Sequence, residues 1–138
     1  MQRVSSAAVR VDGETVAAIG PGMLVLLAVA AGDRAEQADR LAAKLRALRI
    51  FDDEAGRINE PLGDREVLCV SQFTLYADTR RGNRPSFTAA APPEVAEPLY
   101  ERVCDALGAS RGAFGARMEV ELVNDGPLTV LVEVERDG

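Results

Sequence analysis

The chain of 138 residues has a formal net charge of −6, and 47% of its residues are hydrophobic, 28% charged and 4% aromatic. These fractions are typical of one soluble globular domain, taken to span residues 1–138, and they exclude disordered, collagen-like and membrane-spanning classes. The acidic balance also excludes a generally basic nucleic-acid coat, so a polyanion would have to bind a local patch.

The first half of the chain predicts a hairpin, a buried strand and a helix. The stretch Val4–Val11 predicts a strand, and Asp12-Gly13 is a hairpin signal before a returning strand, Glu14–Ile19. The apolar run Met23–Val29 predicts a central strand that is buried on both faces. Asp33 is expected to cap a helix that follows. The apolar residues at helical spacing in that helix are Ala38, Leu41, Ala42, Leu45 and Leu48.

The second half predicts three further strands and a second helix. Val67–Val70 is a second buried strand. Pro92-Pro93 opens a helix that ends near Gly108. Met118–Leu122 and Val130–Val134 alternate apolar and polar residues, which predicts two strands with one exposed face each.

Arg49–Phe51 adds a short strand that enters an acidic turn. Together these elements predict an α/β fold with seven or eight strands and two main helices. Two hairpin-linked strands precede a strand–helix–strand unit, so the sheet is expected to be mixed. Two helices cannot cover both faces of that many strands, and a second sheet or another subunit must cover the rest. We therefore expect a layered protein that forms an oligomer.

The sequence contains no histidine, which excludes Ser-His-Asp triads, Cys-His pairs and histidine metal sites. Cys69 and Cys104 have no zinc-ligand spacing and are interpreted as buried structural thiols in a reducing cytosol. A thiolate nucleophile is the alternative, and it would lack a histidine partner. We expect no metal and no cofactor.

The amino terminus does not look like a signal peptide, because Arg3, Arg10 and Asp12 interrupt it. The longest apolar stretch, Met23–Ala31, is far shorter than the roughly 20 residues that span a bilayer. These features predict a cytoplasmic protein.

Polar residues follow the second buried strand at the position where α/β proteins usually bind ligands. They are Ser71, Gln72 and Thr74, in the segment Ser71–Tyr76. Their hydroxyl groups are also suited to capping the backbone at a strand end, and this alternative stays open.

Two later segments have both a functional and a structural interpretation. Arg80, Arg81 and Arg84 lie within five residues and are suited to binding phosphates, although a solvated charged loop has the same pattern. The segment Asn124–Thr129 begins Asn-Asp-Gly-Pro, which in isolation indicates a turn between two strands.

Eight short motifs follow one another along nearly the whole chain. They are QRV (2–4), VDGE (11–14), IGPG (19–22), LRIFDDEAG (48–56), SQFTLYADTR (71–80), RPSF (84–87), FGARM (114–118) and NDGPLT (124–129). In this order they resemble the D-aminoacyl-tRNA deacylases, and SQFTL followed downstream by GPxT is a specific pair.

The resemblance implies a three-layer α/β/β fold (helices, sheet, sheet) and a homodimer. Family members are carboxylic ester hydrolases that cleave the bond between a D-amino acid and the 3′-terminal adenosine of tRNA. They also remove glycine mischarged on tRNA(Ala). Their activity serves proofreading in translation, and their partner is the aminoacylated 3′ end of tRNA.

The resemblance also implies roles for particular residues. Gly126 and Pro127, joined by a cis bond in the family, would enter the partner subunit's active site and exclude L-aminoacyl esters sterically. Arg3 would hold that loop. The residues expected to line the catalytic pocket are Ser71, Gln72, Phe73 and Thr74. The residues expected to bind tRNA phosphates are Arg80, Arg81 and Arg84.

Catalysis in the family is attributed to the 2′-hydroxyl of the tRNA, which suits a chain without histidine. Thr74 as a direct nucleophile is the competing hypothesis, but the sequence offers it no evident base. The chain departs from the family near Met1, where a few apolar residues usually precede Gln2. It also departs in a short 107–114 connection, where Arg111 stands at a position at which threonine is common.

Three alternatives remain for the function. One is a relative tuned to glycine, with the Gly126–Pro127 bond trans. Another is a non-catalytic dimeric module that binds tRNA ends or small ligands, and multiple turnover distinguishes it from an enzyme. A purely structural oligomer is the third, and the arginines beside SQFTL count against it.

Overall fold

Eight strands, two α-helices and one 3-10 helix form the fold of residues 1–135, which this computed structural model describes. The elements are β1 (Gln2–Val11), β2 (Glu14–Ile19), β3 (Gly22–Leu27), α1 (Ala35–Ala47), β4 (Phe51–Asp52), β5 (Ile58–Glu60), β6 (Glu66–Ser71), the 3-10 helix (Phe73–Tyr76), α2 (Pro93–Leu107), β7 (Ser110–Arg111) and β8 (Glu119–Thr129).

Six strands form one mixed sheet, as predicted. Its order is β2–β1–β3–β6–β7, with β8 on the other edge of β1, while β4 and β5 form a separate hairpin. The β3–β6 and β6–β7 pairs are parallel and the others antiparallel. Asp12 and Gly13 both have positive φ (50° and 79°), as a tight two-residue hairpin turn requires, and the predicted β1–β2 hairpin is confirmed.

The sheet separates two hydrophobic cores, which explains the continuous apolar pattern of β3. Met23, Val25 and Leu27 face a helix-side core, whereas the intervening Leu24 faces a second, sheet-side core. The helices contribute to the first core, and β1 and β2 contribute to the second. Three layers result, because the sheet curls back and covers its own second face. The sequence predicted that either a second sheet or another subunit would cover this face.

The helices lie close to the predicted ranges, but the expected cap of the first is wrong. The N-cap is Arg34, whose backbone N–H donates to Gln37 Oε1 at 2.7 Å. The Asp33 carboxylate instead accepts from the N–H of Ala30 at 2.8 Å, so it stabilises the preceding turn. Gly108 ends α2 with a φ of 61°. Within residues 1–135 neither helix is long and apolar enough to cross a membrane.

The predicted strand Val130–Val134 is absent from the described structure. The backbone groups of Val130 exchange two hydrogen bonds with Met1, at 2.8 and 2.9 Å, and regular pairing ends at Thr129. Val132 then packs against the helix-side core. The alternation of this segment therefore reflects side-chain packing rather than strand pairing.

Candidate functional site

A cavity of about 570 Å³ opens where β6 ends and the 3-10 helix begins. Ser71 is the last residue of β6, and the N–H of Gln72 donates to the Leu27 carbonyl at 2.7 Å, which joins this corner to the end of β3. Ser71, Gln72 and Phe73, three of the four residues that the resemblance connects with the catalytic pocket, all line the cavity. The carboxyl ends of two parallel strands thus meet at its floor.

Thr74 differs from its three neighbours because it is not among the residues that line the cavity. Its hydroxyl accepts a hydrogen bond from the side-chain amide of Gln72. Thr74 is the second residue of the 3-10 helix and is exposed. This contact leaves the hydroxyl proton of Thr74 free to donate.

The rest of the cavity wall is apolar and was not singled out from the sequence. Phe87 meets Phe73 edge to face, with ring centroids 5.1 Å apart, and both rings are partly exposed. Additional lining residues include Ala90, Ala91, Ala96, Phe114, Met118 and Val120. The RPSF and FGARM motifs contain Phe87, Phe114 and Met118, so the motifs marked them even though no role was assigned.

Gly112 packs behind this wall, where the absence of a side chain leaves space for Met118 and Val70. A Cβ atom at this position would lie 2.9 Å from Met118 Sδ and 3.5 Å from a Val70 methyl. Both neighbours line the cavity. A side chain at position 112 would therefore displace the sulfur of Met118.

The predicted Asn-Asp-Gly-Pro turn is a wide bulge inside β8, not a turn between two strands. Between the pairs Val4–Asn124 and Gln2–Thr129, β1 advances by two residues while β8 advances by five. Residues 125–128 therefore leave the ladder, and we call them the Gly-Pro bulge. The Gly126–Pro127 peptide bond is cis, and both residues are exposed.

Asn124 closes the neck of the Gly-Pro bulge. Its Oδ1 accepts from the N–H of Leu128 at 2.6 Å, and its Nδ2 lies 3.2 Å from both the Leu128 carbonyl and Thr129 Oγ1. The side-chain amide thus replaces the hydrogen bonds that the interrupted ladder would have made.

Arg3 supports the bulge from inside and is only 8% exposed. Its Nε donates to the Asp125 carbonyl at 2.9 Å, and one terminal nitrogen donates to the Ile50 carbonyl at 2.9 Å. The same nitrogen lies 3.2 Å from Asp52 Oδ1. A Cβ atom on Gly126 would approach the other terminal nitrogen to 3.0 Å. The guanidinium therefore touches the backbone that carries the Gly-Pro pair.

The cavity and the Gly-Pro bulge are separate within one chain. Neither Gly126 nor Pro127 is among the residues that line the cavity. Arg3 and Asp125 line a different depression, shared with residues of β3 and β4.

The predicted arginines lie on an exposed loop that is closed by two backbone hydrogen bonds between Asp78 and Ser86, at 2.7 and 2.9 Å. Arg80 makes an ion pair with Asp78, and its hydrogen bonds lower the pKa of that carboxyl to about 2. Arg81 and Arg84 make no ion pair among residues 1–135, so their guanidinium groups are available at the surface.

The cysteines are both buried and free, as predicted. The contact with Cys104 and burial raise the pKa of the Cys69 thiol, which opposes thiolate formation. Burial raises the pKa of Tyr100, whose hydroxyl donates to the Cys69 carbonyl at 2.7 Å. In the described part of the chain, no three Cys, Asp or Glu side chains are placed so that they could hold a metal ion.

Comparisons with known proteins agree along the whole chain. The family model described as D-Tyr-tRNA(Tyr) deacylase matches residues 1–133. Proteins named D-aminoacyl-tRNA deacylase from Anaeromyxobacter dehalogenans (strain 2CP-C) and Roseiflexus castenholzii (strain DSM 13941 / HLO8) are each 54% identical. The alignments cover 99% and 96% of this chain and 96% and 89% of those relatives. A solved structure titled c-Myc DNA Unwinding Element Binding Protein has a TM-score of 0.91 and 38% identity, covering 98% of this chain and 97% of that one.

Proposed function

We propose, because this chain belongs to the D-Tyr-tRNA(Tyr) deacylase family, that its cavity holds the aminoacyl ester at the 3′ end of tRNA. The protein is a D-aminoacyl-tRNA deacylase, and aminoacyl-tRNA is its substrate. The observation that carries the proposal is the place of the cavity. It opens at Ser71–Phe73, within the motif that the resemblance connects with the active site. Its apolar wall suits a base and an amino-acid side chain, and the strand ends supply polar groups.

The Gly-Pro bulge is proposed to exclude L-aminoacyl esters sterically. The bulge presents backbone rather than a mobile side chain, and Arg3 and Asn124 hold it in place. A fixed wall against the α-carbon clashes with an L side chain but leaves room for a D side chain. Selection of this kind reads the chiral centre, so many D-amino acids should be accepted.

The same sieve cannot reject a substrate that has no side chain. We propose that glycine mischarged on tRNA(Ala) is also hydrolysed, because a hydrogen atom fits wherever a D side chain fits. Glycyl esters should therefore be cleaved by the same site at the same time as D esters.

The bulge is proposed to act in the cavity of a second copy of the chain. Gly126 and Pro127 are exposed and do not line their own cavity. Large apolar side chains are exposed close in sequence to the cavity motif and to the bulge. They are Phe73, Leu75, Val123 and Leu131. Exposed apolar side chains of this kind are typical of a protein–protein interface. A homodimer would bring each bulge to the other chain's cavity and complete two sites.

Hydrolysis is proposed to depend on the 2′-hydroxyl of the terminal adenosine. The chain has no histidine, and within residues 1–135 the Thr74 hydroxyl donates a hydrogen bond to no base. The N–H group of Phe73, at the start of the 3-10 helix, has no acceptor among residues 1–135, and Phe73 lines the cavity, so this group can bind a developing oxyanion. The protein then contributes orientation and charge stabilisation.

Arg80, Arg81 and Arg84 are proposed to bind tRNA phosphates, with Arg80 also bracing the loop through Asp78. Charge reversal of Arg81 or Arg84 should weaken tRNA binding and reduce its dependence on salt by about one counterion per lost contact. Arg57→Glu, at an exposed arginine of the β4–β5 turn, is the control for net charge. Equal effects at all three positions would contradict the role.

The experiment that tests the function compares release of tyrosine from D-Tyr-tRNA and L-Tyr-tRNA, with substoichiometric protein and a chelator. We expect many turnovers on the D ester and none on the L ester. Binding of tRNA without turnover would instead support the non-catalytic module. A D ester on tRNA ending in 2′-deoxyadenosine should lose at least about 100-fold in rate. Undiminished cleavage would overturn the role of the 2′-hydroxyl. Since tRNA is used in the cytoplasm, we propose that the protein works there.

A further inference from the structure

Arg3 is a buried side chain that connects the Gly-Pro bulge to another part of the fold, and its guanidinium is itself held by neighbouring groups. The Arg3 guanidinium makes two kinds of contact, one with the bulge and one with the segment Ile50–Asp52. We infer that Asp52 is a positioning residue for chiral selection, because its carboxylate orients the guanidinium against which Gly126 rests. This inference rests on the proposed role of the bulge as the chiral screen.

The contacts around the Arg3 guanidinium fall into two groups. Its Nε faces the Asp125 carbonyl at 2.9 Å and the Asp125 carboxylate at 3.7 Å, both of which belong to the bulge. A bulge held only by these contacts could move together with the arginine. The contacts with the Ile50 carbonyl at 2.9 Å and with Asp52 Oδ1 at 3.2 Å prevent this motion, because they belong to another element.

The backbone of Asp52 belongs to a well-supported hairpin. It forms β4 with Phe51, and both residues pair with β5. The Phe51 ring is 5% exposed and packs under the Arg65 guanidinium at 4.5 Å. Arg65 in turn pairs with Glu60 of β5 at 3.2 Å. The Asp52 backbone is therefore held by the hairpin, although its side chain is 53% exposed.

Asp52 is expected to affect chiral selection more than folding, because its side chain is half exposed. Asp52 touches Arg3 and does not line the cavity of its own chain, so its proposed effect on selectivity passes through Arg3. Its carboxylate shares one terminal nitrogen of Arg3 with the Ile50 carbonyl. Without it, Arg3 stays attached but can tilt, and the other terminal nitrogen, which lies near Gly126, moves with it. The consequence is a looser wall and partial admission of L esters.

The test compares Asp52→Ala with Asp39→Ala. Asp39 also pairs with an arginine, Arg102, and its side chain has the same 53% exposure. We expect the ratio of kcat/KM for D-Tyr-tRNA to that for L-Tyr-tRNA to fall by about two- to fivefold in Asp52→Ala only. Asp52→Asn, which keeps an acceptor oxygen, should lie between Asp52→Ala and the unsubstituted protein.

A second readout does not depend on activity. The Nε–H proton of Arg3, followed by NMR, should exchange faster with water in Asp52→Ala and remain unchanged in Asp39→Ala. An equal ratio in the two alanine variants, with an unchanged Arg3 signal, would overturn the role of Asp52. Lack of D-ester turnover by the unsubstituted protein would overturn the proposed function instead, and the Arg3 signal would still decide whether Asp52 orients the guanidinium.

Discussion

The cavity at Ser71–Phe73 and the Gly-Pro bulge lie on different strands and are held by different kinds of contact. Apolar side chains from several elements share the wall of the cavity. The bulge depends on two polar side chains, Arg3 and Asn124, which supply most of its hydrogen bonds to the rest of the chain.

This difference has consequences for single substitutions. Apolar packing is shared among many atoms, so the loss of one contact should change the cavity gradually. A buried polar contact that loses its partner leaves an unsatisfied group, which costs more. We therefore expect substitutions at the bulge to change the free energy of unfolding and the ratio of D to L hydrolysis. Substitutions at the cavity should change KM or kcat with little change in that ratio.

The largest effect is expected from Arg3→Leu. The leucine leaves the Ile50 carbonyl without its donor and removes the charge between Asp52 and Asp125. The free energy of unfolding should fall by about 3 kcal/mol, measured with denaturant. Arg10→Leu is the control on the same strand, because Arg10 makes an exposed pair with Glu121 and should cost less than about 1 kcal/mol. Equal losses would contradict a special role for Arg3.

A smaller effect is expected from Asn124→Ala, which opens the neck of the bulge. Leu128 loses its acceptor at 2.6 Å, and the free energy of unfolding should fall by about 1–2 kcal/mol. Exchange of the Leu128 amide proton with solvent should become faster. Gln2→Ala is the control, because Gln2 donates to the same Thr129 hydroxyl without joining the two ends of the bulge. Unchanged exchange at Leu128 would show that the neck is held by other contacts.

The two regions also differ in how far they could be predicted from sequence. The hairpin at Asp12-Gly13 and the buried strand Val67–Val70 have local signals, namely turn chemistry and an apolar run. The sequence Asn-Asp-Gly-Pro has a local signal for a turn, and this signal is misleading. Only the pairing of β8 with Val4 and Gln2, more than a hundred residues away, makes the segment a bulge.

The cavity shows a second limit of prediction from sequence. Ser71 and Gln72 could be predicted because they follow a buried strand, at the position where α/β proteins usually bind ligands. Phe87, Phe114 and Met118 look like ordinary core residues, because a residue that lines a cavity and one that fills a core have the same apolar character. Their part in the wall depends on where β6, α2 and β8 meet. The cap of α1 was missed for a simpler reason, since Asp33 is one residue from the true N-cap and its carboxylate satisfies another N–H.

On the cavity side, Phe87→Leu should have a modest effect. The substitution removes the edge-to-face contact with Phe73, which is worth about 0.5–1.5 kcal/mol. Because this energy holds the two rings in place rather than binding substrate, KM for D-Tyr-tRNA should rise by at most about tenfold, while the ratio of D to L hydrolysis stays constant. Val95→Ala is a control of similar exposure (39% against 37%) outside the cavity. A change in the D-to-L ratio would show that the cavity wall also takes part in chiral selection.

The smallest effect is expected from Thr74→Val, which keeps the branched shape and removes the hydroxyl. This hydroxyl accepts from Gln72 and does not line the cavity, so kcat should stay within about tenfold of the unsubstituted value. Thr79→Val, at an exposed threonine of the arginine loop, is the control. A loss of about a thousandfold or more in Thr74→Val, with an unchanged melting temperature, would restore the hydroxyl as nucleophile. In that case the reaction would depend on one irreplaceable hydroxyl beside the cavity, and the proposed contrast between the two regions would apply to their folding but not to their chemistry.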